Sequence, residues 1–337
     1  MIYPKFLEKN NNIFVICPSD GSNDESKKTK YLNAKKYFES IGYNIKLSDN
    51  IFNSRNARSA SGEKRGIEVN NAFKNKDNDF ILCATGGEFL VECLDYVDYD
   101  IINNNPKYLA GFSDPTGLLY SITTKLDIAT IYGANFSPFG SDKLYKCHED
   151  FIKLITGKCF SFDSYPLYEE ERLEKVTGLE GYNLTEKVVY KTLNKNDVNV
   201  TGRIIGGCFD IINELAGTKY DGYNSFIDKY KSDGIIWYFD NCEQTLEEVI
   251  RILWKFNTLG YFKYCKCIIF GRFGVVSSNI YSDVKSCLED SILSKLNIDV
   301  IYDADVSHKA PCLPIINGSI ATVKFKNGKC NISYELR

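Results

Sequence analysis

Ser113 lies in "YLAGFSDPTGLLYSI" (residues 108–122), where an apolar run stops and a helical pattern begins. The run before it reads as a buried strand. Pro115 suits the first turn of a helix, where its missing N–H costs nothing. Ser113 is therefore expected on a strand-to-helix corner, which lifts a hydroxyl out of a sheet and aims helix N–H groups at the same space, as a hydrolase nucleophile requires. A plain helix N-cap serine is the competing reading. A serine nucleophile needs a base, and the chain has only two histidines. His148, in "LYKCHEDFIKLI", stands among charges at the start of a helix and reads as a solvated surface residue. His308, in "YDADVSHKAPCLPIING", sits on a turn-rich loop after an apolar strand, where functional residues concentrate. A carboxylate would complete the set by fixing the imidazole tautomer and stabilising the imidazolium. Asp240 follows the apolar run "IIWYF", and Asp303 and Asp305 are rivals close to His308 in sequence. Spacing does not choose among them. For the oxyanion, "CATGGEFL" offers Gly86 and Gly87 straight after a strand, where a missing Cβ lets backbone approach a ligand. The backbone N–H of Asp114 is a second donor. No G-x-G-x-x-G and no Walker A loop is present, so no nucleotide cofactor is expected.

The elements that must position these residues alternate through the first half. "NIFVICPS" (12–19) and "DFILCAT" (79–85) read as apolar strands, with helices over 28–43 and 61–75, another from about 88, and one after Ser113. Such alternation means a parallel sheet covered on both faces, with ligands gathering beyond the carboxyl ends of its strands. Between about 160 and 187 the pattern breaks, and "YPLYEEERLEK" reads as a solvated linker. A second set of strands and helices follows, the helices near 208–216, 246–259 and 280–294. Thr245 and Glu248 form a capping box for the middle one. We expect an N-terminal domain over 1–165, a linker over 166–186 and a C-terminal domain over 187–337.

With 337 residues, 44% apolar and 25% charged, the chain can bury two cores. A net charge of −3 excludes a nucleic-acid binder that works by phosphate neutralisation. No apolar run reaches membrane-span length and the N-terminus lacks a signal-peptide core, so a cytoplasmic location is expected. The twelve cysteines are scattered, most of them in apolar runs such as "FVIC" and "FILC", as buried thiols are in a reducing compartment. No C-x-x-C spacing occurs, and no metal site is expected.

Taken together, "CPSDGS", "ATGGEFLVECLDYVDYD", "GFSDPTGLLYSITTKLDIATIYGANFSPFG", "GYNLTEK", "GRIIGGCFDIINELAGTKYD", "DGIIWYFDNCEQTLEEVIRILWKFNTLGYF", "IIFGRF" and "DADVSHKAPCLPIINGS" resemble the LD-carboxypeptidase family of serine peptidases, in that family's order. The family also includes the microcin C immunity peptidases. The resemblance implies a flavodoxin-like parallel α/β domain followed by a swivelling-type α/β domain with its own sheet, and an active site between them. It implies a Ser-Glu-His triad that carries onto Ser113 and His308; the N–H groups of Gly87 and Asp114 are the expected oxyanion donors. The Glu falls on Asp240 in "FDNC". Asp is one methylene shorter, and a misplacement of about 1 Å can cost orders of magnitude in rate. The implied substrate is a muropeptide stem tetrapeptide that loses its terminal D-alanine in cell-wall recycling. A peptidyl-nucleotide amide, as in the immunity branch, is the alternative, and a catalytically impaired peptide-binding relative is a third. Gly86, Arg272 and Lys309 are candidate substrate-binding residues, the two cations for a substrate carboxylate. Phe136, Phe139, Trp237 and Tyr238 are candidate platforms for a nucleobase. The resemblance also suggests a homodimer without cofactor, whose partner is a small peptide rather than nucleic acid or membrane.

Overall fold

Five short strands rich in β-branched and aromatic residues open the chain: β1 (Asn12–Ile16), β2 (Asn44–Leu47), β3 (Phe80–Cys83), β4 (Leu109–Gly111) and β5 (Thr130–Tyr132). Helices Glu25–Ser40, Gly62–Lys74, Tyr99–Asn104 and Thr116–Leu126 cross between them. The computed structural model describes residues 1–194 and 197–337. The five strands pair in parallel in the order β2-β1-β3-β4-β5. That order is the flavodoxin-like one, and its reversal between β1 and β3 opens a crevice at the strands' carboxyl ends. β1 and β3 are buried almost throughout, as a sheet covered on both faces requires.

The remaining strands are β6 (Ser161–Asp163), β7 (Leu167–Tyr168), β8 (Glu186–Lys187), β9 (Lys191–Thr192), β10 (Val198–Cys208), β11 (Ile235–Asp240), β12 (Cys265–Gly271), β13 (Asp299–Ala304), β14 (Ile315–Asn317), β15 (Ile320–Lys326) and β16 (Lys329–Glu335). Eight of them form a second sheet, ordered β6-β16-β15-β10-β11-β12-β13-β9, in which β10 to β13 run parallel. The fold is thus a flavodoxin-like sheet followed by a mixed sheet of its own. Two strands cross the expected boundaries. β6, from the N-terminal portion, pairs with β16 in the second sheet, and β14 returns to the first sheet to lie antiparallel on β5. Consequently the loop from β13 to β14, which carries His308, runs from one sheet to the other. The segment expected as a solvated linker holds the two-stranded ribbon β7-β8.

Local signals set the helix ends. Thr245 and Glu248 form the capping box at the start of Leu246–Thr258, and Asp24 caps Glu25–Ser40. Where one helix was expected from about 88, a 3₁₀ turn over Leu90–Tyr96 and the short helix Tyr99–Asn104 stand instead, separated by Asp98, whose carboxylate caps the second. The expected helix over 280–294 is likewise shorter, Val284–Asp290 followed by a 3₁₀ turn.

Candidate active site

Ser113 follows β4 at φ +72°, a left-handed conformation that costs a non-glycine residue roughly 1–3 kcal/mol and is held only where its surroundings demand it. Those surroundings are visible. Gly111 turns so tightly that a Cβ there would lie 2.6 Å from the Pro115 side chain. Phe112 is pinned on both sides by Asn135, which accepts its N–H at 2.9 Å and donates to its carbonyl at 3.0 Å. Pro115 starts the helix Thr116–Leu126, and the Thr116 N–H returns to the Ser113 carbonyl at 2.9 Å.

His308 Nε2 lies 2.8 Å from Ser113 Oγ, and its Nδ1 lies 2.9 Å from Asp240 Oδ1. The backbone N–H of His308 also donates to Asp240 Oδ1, at 3.1 Å. Asp240 ends β11 fully buried, and its second oxygen accepts the Tyr132 hydroxyl at 2.6 Å. Tyr132 in turn accepts the Ser113 N–H at 3.4 Å. Burial of the imidazole pushes its pKa down, while the Asp240 carboxylate, with a smaller push from the Cys242 thiol, raises it by more; the balance lies above the ordinary value. The two rival acids point elsewhere. Asp303 pairs with Lys191 at 2.8 Å, and Asp305 pairs with Arg272 at 2.6 Å.

Three loops converge on the Ser113 corner at the carboxyl ends of β1, β3 and β4. A Cβ on Gly86 would lie 3.1 Å from the Ser113 Cβ, so this backbone passes against the nucleophile candidate. A Cβ on Gly87 would collide with Ser19 Oγ at 2.2 Å. The N–H groups of Gly87 and Asp114 donate to no protein acceptor among the described residues. Asp114 does more than its position suggests. Its buried carboxylate accepts the Ser19 hydroxyl and, at 3.0 Å, the Leu90 N–H, which ties the loops after β1 and β3 to the corner. On the other domain Asp210 plays a similar part, accepting the N–H groups of Cys242 and Glu243 and the Gln244 amide at 3.0–3.1 Å, and so fixing the loop that leaves Asp240. Thr116 Oγ1 accepts the Cys208 N–H at 2.9 Å and joins the two halves.

A cavity of about 280 Å³ opens beside His308. The segment read as a solvated linker is exposed over 170–177 and also forms one wall, through Glu169, Arg172, Leu173, Lys175, Glu180 and Tyr182. His148, read as a surface residue, is 3% exposed and also lines the cavity. Burial pushes its pKa down to about 4, so it is neutral; its Nδ1 accepts the Tyr145 N–H at 3.0 Å, and its ring stacks on Tyr182. The aromatic candidates Phe136, Phe139, Trp237 and Tyr238 are all core residues, none more than 2% exposed. Arg272 is 5% exposed; besides Asp305 it donates to the carbonyls of Lys309 and Pro311, so its charge braces the His308 loop. Lys309 is paired with Glu170. Neither cation lines the cavity beside His308.

With this geometry in hand, comparison with known proteins gives consistent matches. Residues 13–133 match the family model for the LD-carboxypeptidase N-terminal domain, and residues 201–323 match that for the LD-carboxypeptidase C-terminal domain. The Treponema pallidum (strain Nichols) protein named "Putative carboxypeptidase" is 27% identical over 327 residues, covering 93% of this chain and 90% of that one. The Escherichia coli microcin C7 self-immunity protein MccF is 26% identical over 281 residues, covering 82% and 80%. A crystal structure of an MccF-like protein from Bacillus anthracis str. Ames superposes with a TM-score of 0.85 at 24% identity over the whole of both chains.

Proposed function

We propose that this chain, which belongs to the LD-carboxypeptidase family, is a serine carboxypeptidase that releases the terminal D-alanine from muropeptide stem tetrapeptides in cytoplasmic cell-wall recycling. The observation that carries the reading is the unbroken relay from Ser113 Oγ through His308 to Asp240, at 2.8 and 2.9 Å. His308 in its neutral form takes the Ser113 proton as the hydroxyl adds to the scissile carbonyl. The Gly87 and Asp114 N–H groups receive the oxyanion, for which pre-aimed donors are worth roughly 3–4 kcal/mol each in comparable sites. The imidazolium then protonates the departing amine as the C–N bond breaks, and water repeats the sequence on the acyl-serine. Asp240 orients the imidazole and stabilises its charge. The relay also argues against an impaired relative, because the shorter acid reaches the ring.

A second reading is hydrolysis of a peptidyl-nucleotide amide, favoured by the size of the cavity beside His308, larger than one alanine fills. Incubation with stem tetrapeptides and with peptidyl-nucleotide amides, followed by mass spectrometry, tests both. Loss of D-alanine in wild type and none in Ser113→Ala is the expected result. Turnover that persists in Ser113→Ala would remove the nucleophile assignment.

A further inference from the structure

We infer that the cavity beside His308 receives an anionic leaving group, gripped by Lys30, Arg172 and Lys175. The inference rests on the hydrolase reading above and names what that reading leaves open, the groups that recognise the substrate's end.

The cavity is lined by His308, Ser307, Phe112 and Asn135, but not by Ser113, Gly86 or Gly87. In a Ser-His-acid relay the imidazolium hands its proton to the departing nitrogen, so the leaving portion lies on the imidazole's side. The cavity is therefore placed for the leaving group and not for the acyl portion.

Lys30 is half-buried on the helix Glu25–Ser40, and Arg172 and Lys175 stand on the opposite wall. Among the described residues none of the three has an ion-pair partner, whereas Arg272 and Lys309 are both committed. Burial, and then the charge of Lys175, hold the Lys30 ammonium below its ordinary range, a situation that a bound anion reverses. Two carboxylates share the lining. Glu180 braces its own turn by accepting the N–H groups of Val176 and Thr177 and the Thr177 hydroxyl on Oε1, with Oε2 buried and unpartnered. Glu169 accepts the Asn183 N–H at 2.7 Å. His148, being neutral, adds no charge. Three cations against two carboxylates, one of the cations half-buried, fit an anion carried by the leaving portion. A leaving amino acid's carboxylate provides it, and a phosphate attached to the leaving portion provides the same chemistry.

The test separates binding from turnover by using Ser113→Ala protein in calorimetric titrations. The probes are a stem tetrapeptide ending in D-alanine, the same peptide ending in D-alaninamide, and a peptidyl-nucleotide amide. We expect the acid to bind about tenfold more tightly than the amide, the worth of one charge-assisted pair. Lys30→Gln, and separately Arg172→Gln with Lys175→Gln, each bring the two affinities together. Arg172 and Lys175 are exposed, so their double variant keeps the fold and serves as the control for Lys30. Tighter binding of the nucleotide amide with the same dependence on the cations supports the site and assigns its anion to phosphate. Equal affinity for acid and amide, no binding of either, or a preference that survives both sets of substitutions overturns it. Wild-type hydrolysis is scored independently, so a protein that binds anions through these cations yet cleaves nothing rejects the hydrolase reading alone.

Discussion

Asp240 carries its carboxylate on one methylene where the family resemblance implies two, and the backbone of the His308 loop makes up the difference. The His308 N–H and Nδ1 both reach the same oxygen, so the loop itself is drawn against the acid. Both oxygens are engaged and the residue is fully buried, which leaves no room for a longer side chain. Asp240→Glu is therefore expected to lower kcat rather than raise it, because overpacking a filled site costs about 1–3 kcal/mol and displaces the relay; a faster variant would show that the shorter acid limits the rate. Tyr132, a positioning residue, holds the second oxygen. Tyr132→Phe leaves that oxygen buried without a donor, and a drop of about tenfold in kcat/KM follows from the lost charged hydrogen bond. The carboxylate, no longer stabilised by the hydroxyl, holds the imidazolium more tightly, so the acid limb of the pH profile moves to higher pH. A variant that only loosened packing would lose rate without moving that limb. Ser113 and His308 were legible because the chain offers so few histidines and places one on a loop at a strand end. Tyr132 was not, because nothing in "TIYGAN" distinguishes it from a core tyrosine and its partner lies 108 positions away.

At the scale of elements, the loop between β13 and β14 must hold His308 still while it passes from one sheet to the other. The Arg272–Asp305 pair anchors it. Asp305 is fully buried, accepts the Tyr165 N–H at 2.8 Å on its other oxygen, and donates its own N–H to the Tyr190 hydroxyl at 2.7 Å. Removing only the arginine strands a buried charge, so Arg272→Met is expected to destabilise the protein by about 3–5 kcal/mol in urea unfolding. Arg272→Met combined with Asp305→Leu should regain part of that loss, since the remaining groups no longer include an uncompensated charge. If the single variant unfolds like wild type, the pair does not brace the loop. In sequence an arginine after a strand looks equally suited to a substrate carboxylate, and only a partner 33 residues later decides its role. The segment over residues 169–182 is exposed over 170–177, as its charges suggest, but its packed end was not legible. Tyr182 stacks on His148 and its carbonyl accepts the Tyr145 hydroxyl at 2.9 Å, which holds that end of the segment against the cavity. Strands β1 and β3 carried no such ambiguity, because each is a short buried apolar run followed by turn residues, whereas the helix expected from about 88 breaks before Asp98.

For the molecule as a whole, the two histidines act on stability in opposite directions, and this makes its pH dependence a test of the structure. His148 is neutral in the fold with a pKa near 4, below the ordinary 6.5 of an unfolded chain. As pH falls below 6.5 the unfolded state takes up a proton that the folded state refuses, so stability declines between about 6.5 and 4. His308 has the reverse sign. Its folded pKa is raised, so its contribution is fully present below 6.5 and is lost as pH rises through the folded value. Other titrating groups overlie both arms, and the substitutions isolate them. His148→Gln should flatten the decline on the acid side while leaving the alkaline side unchanged. His308→Gln should remove part of the alkaline decline and abolish activity, whereas His148→Gln leaves the Ser113 relay untouched. Urea midpoints measured from pH 4 to pH 9 for the three proteins read this directly. An acid arm as steep in His148→Gln as in wild type would mean that His148 titrates in the fold as an exposed histidine does, and the wall it supports through Tyr182 would then not be packed as described.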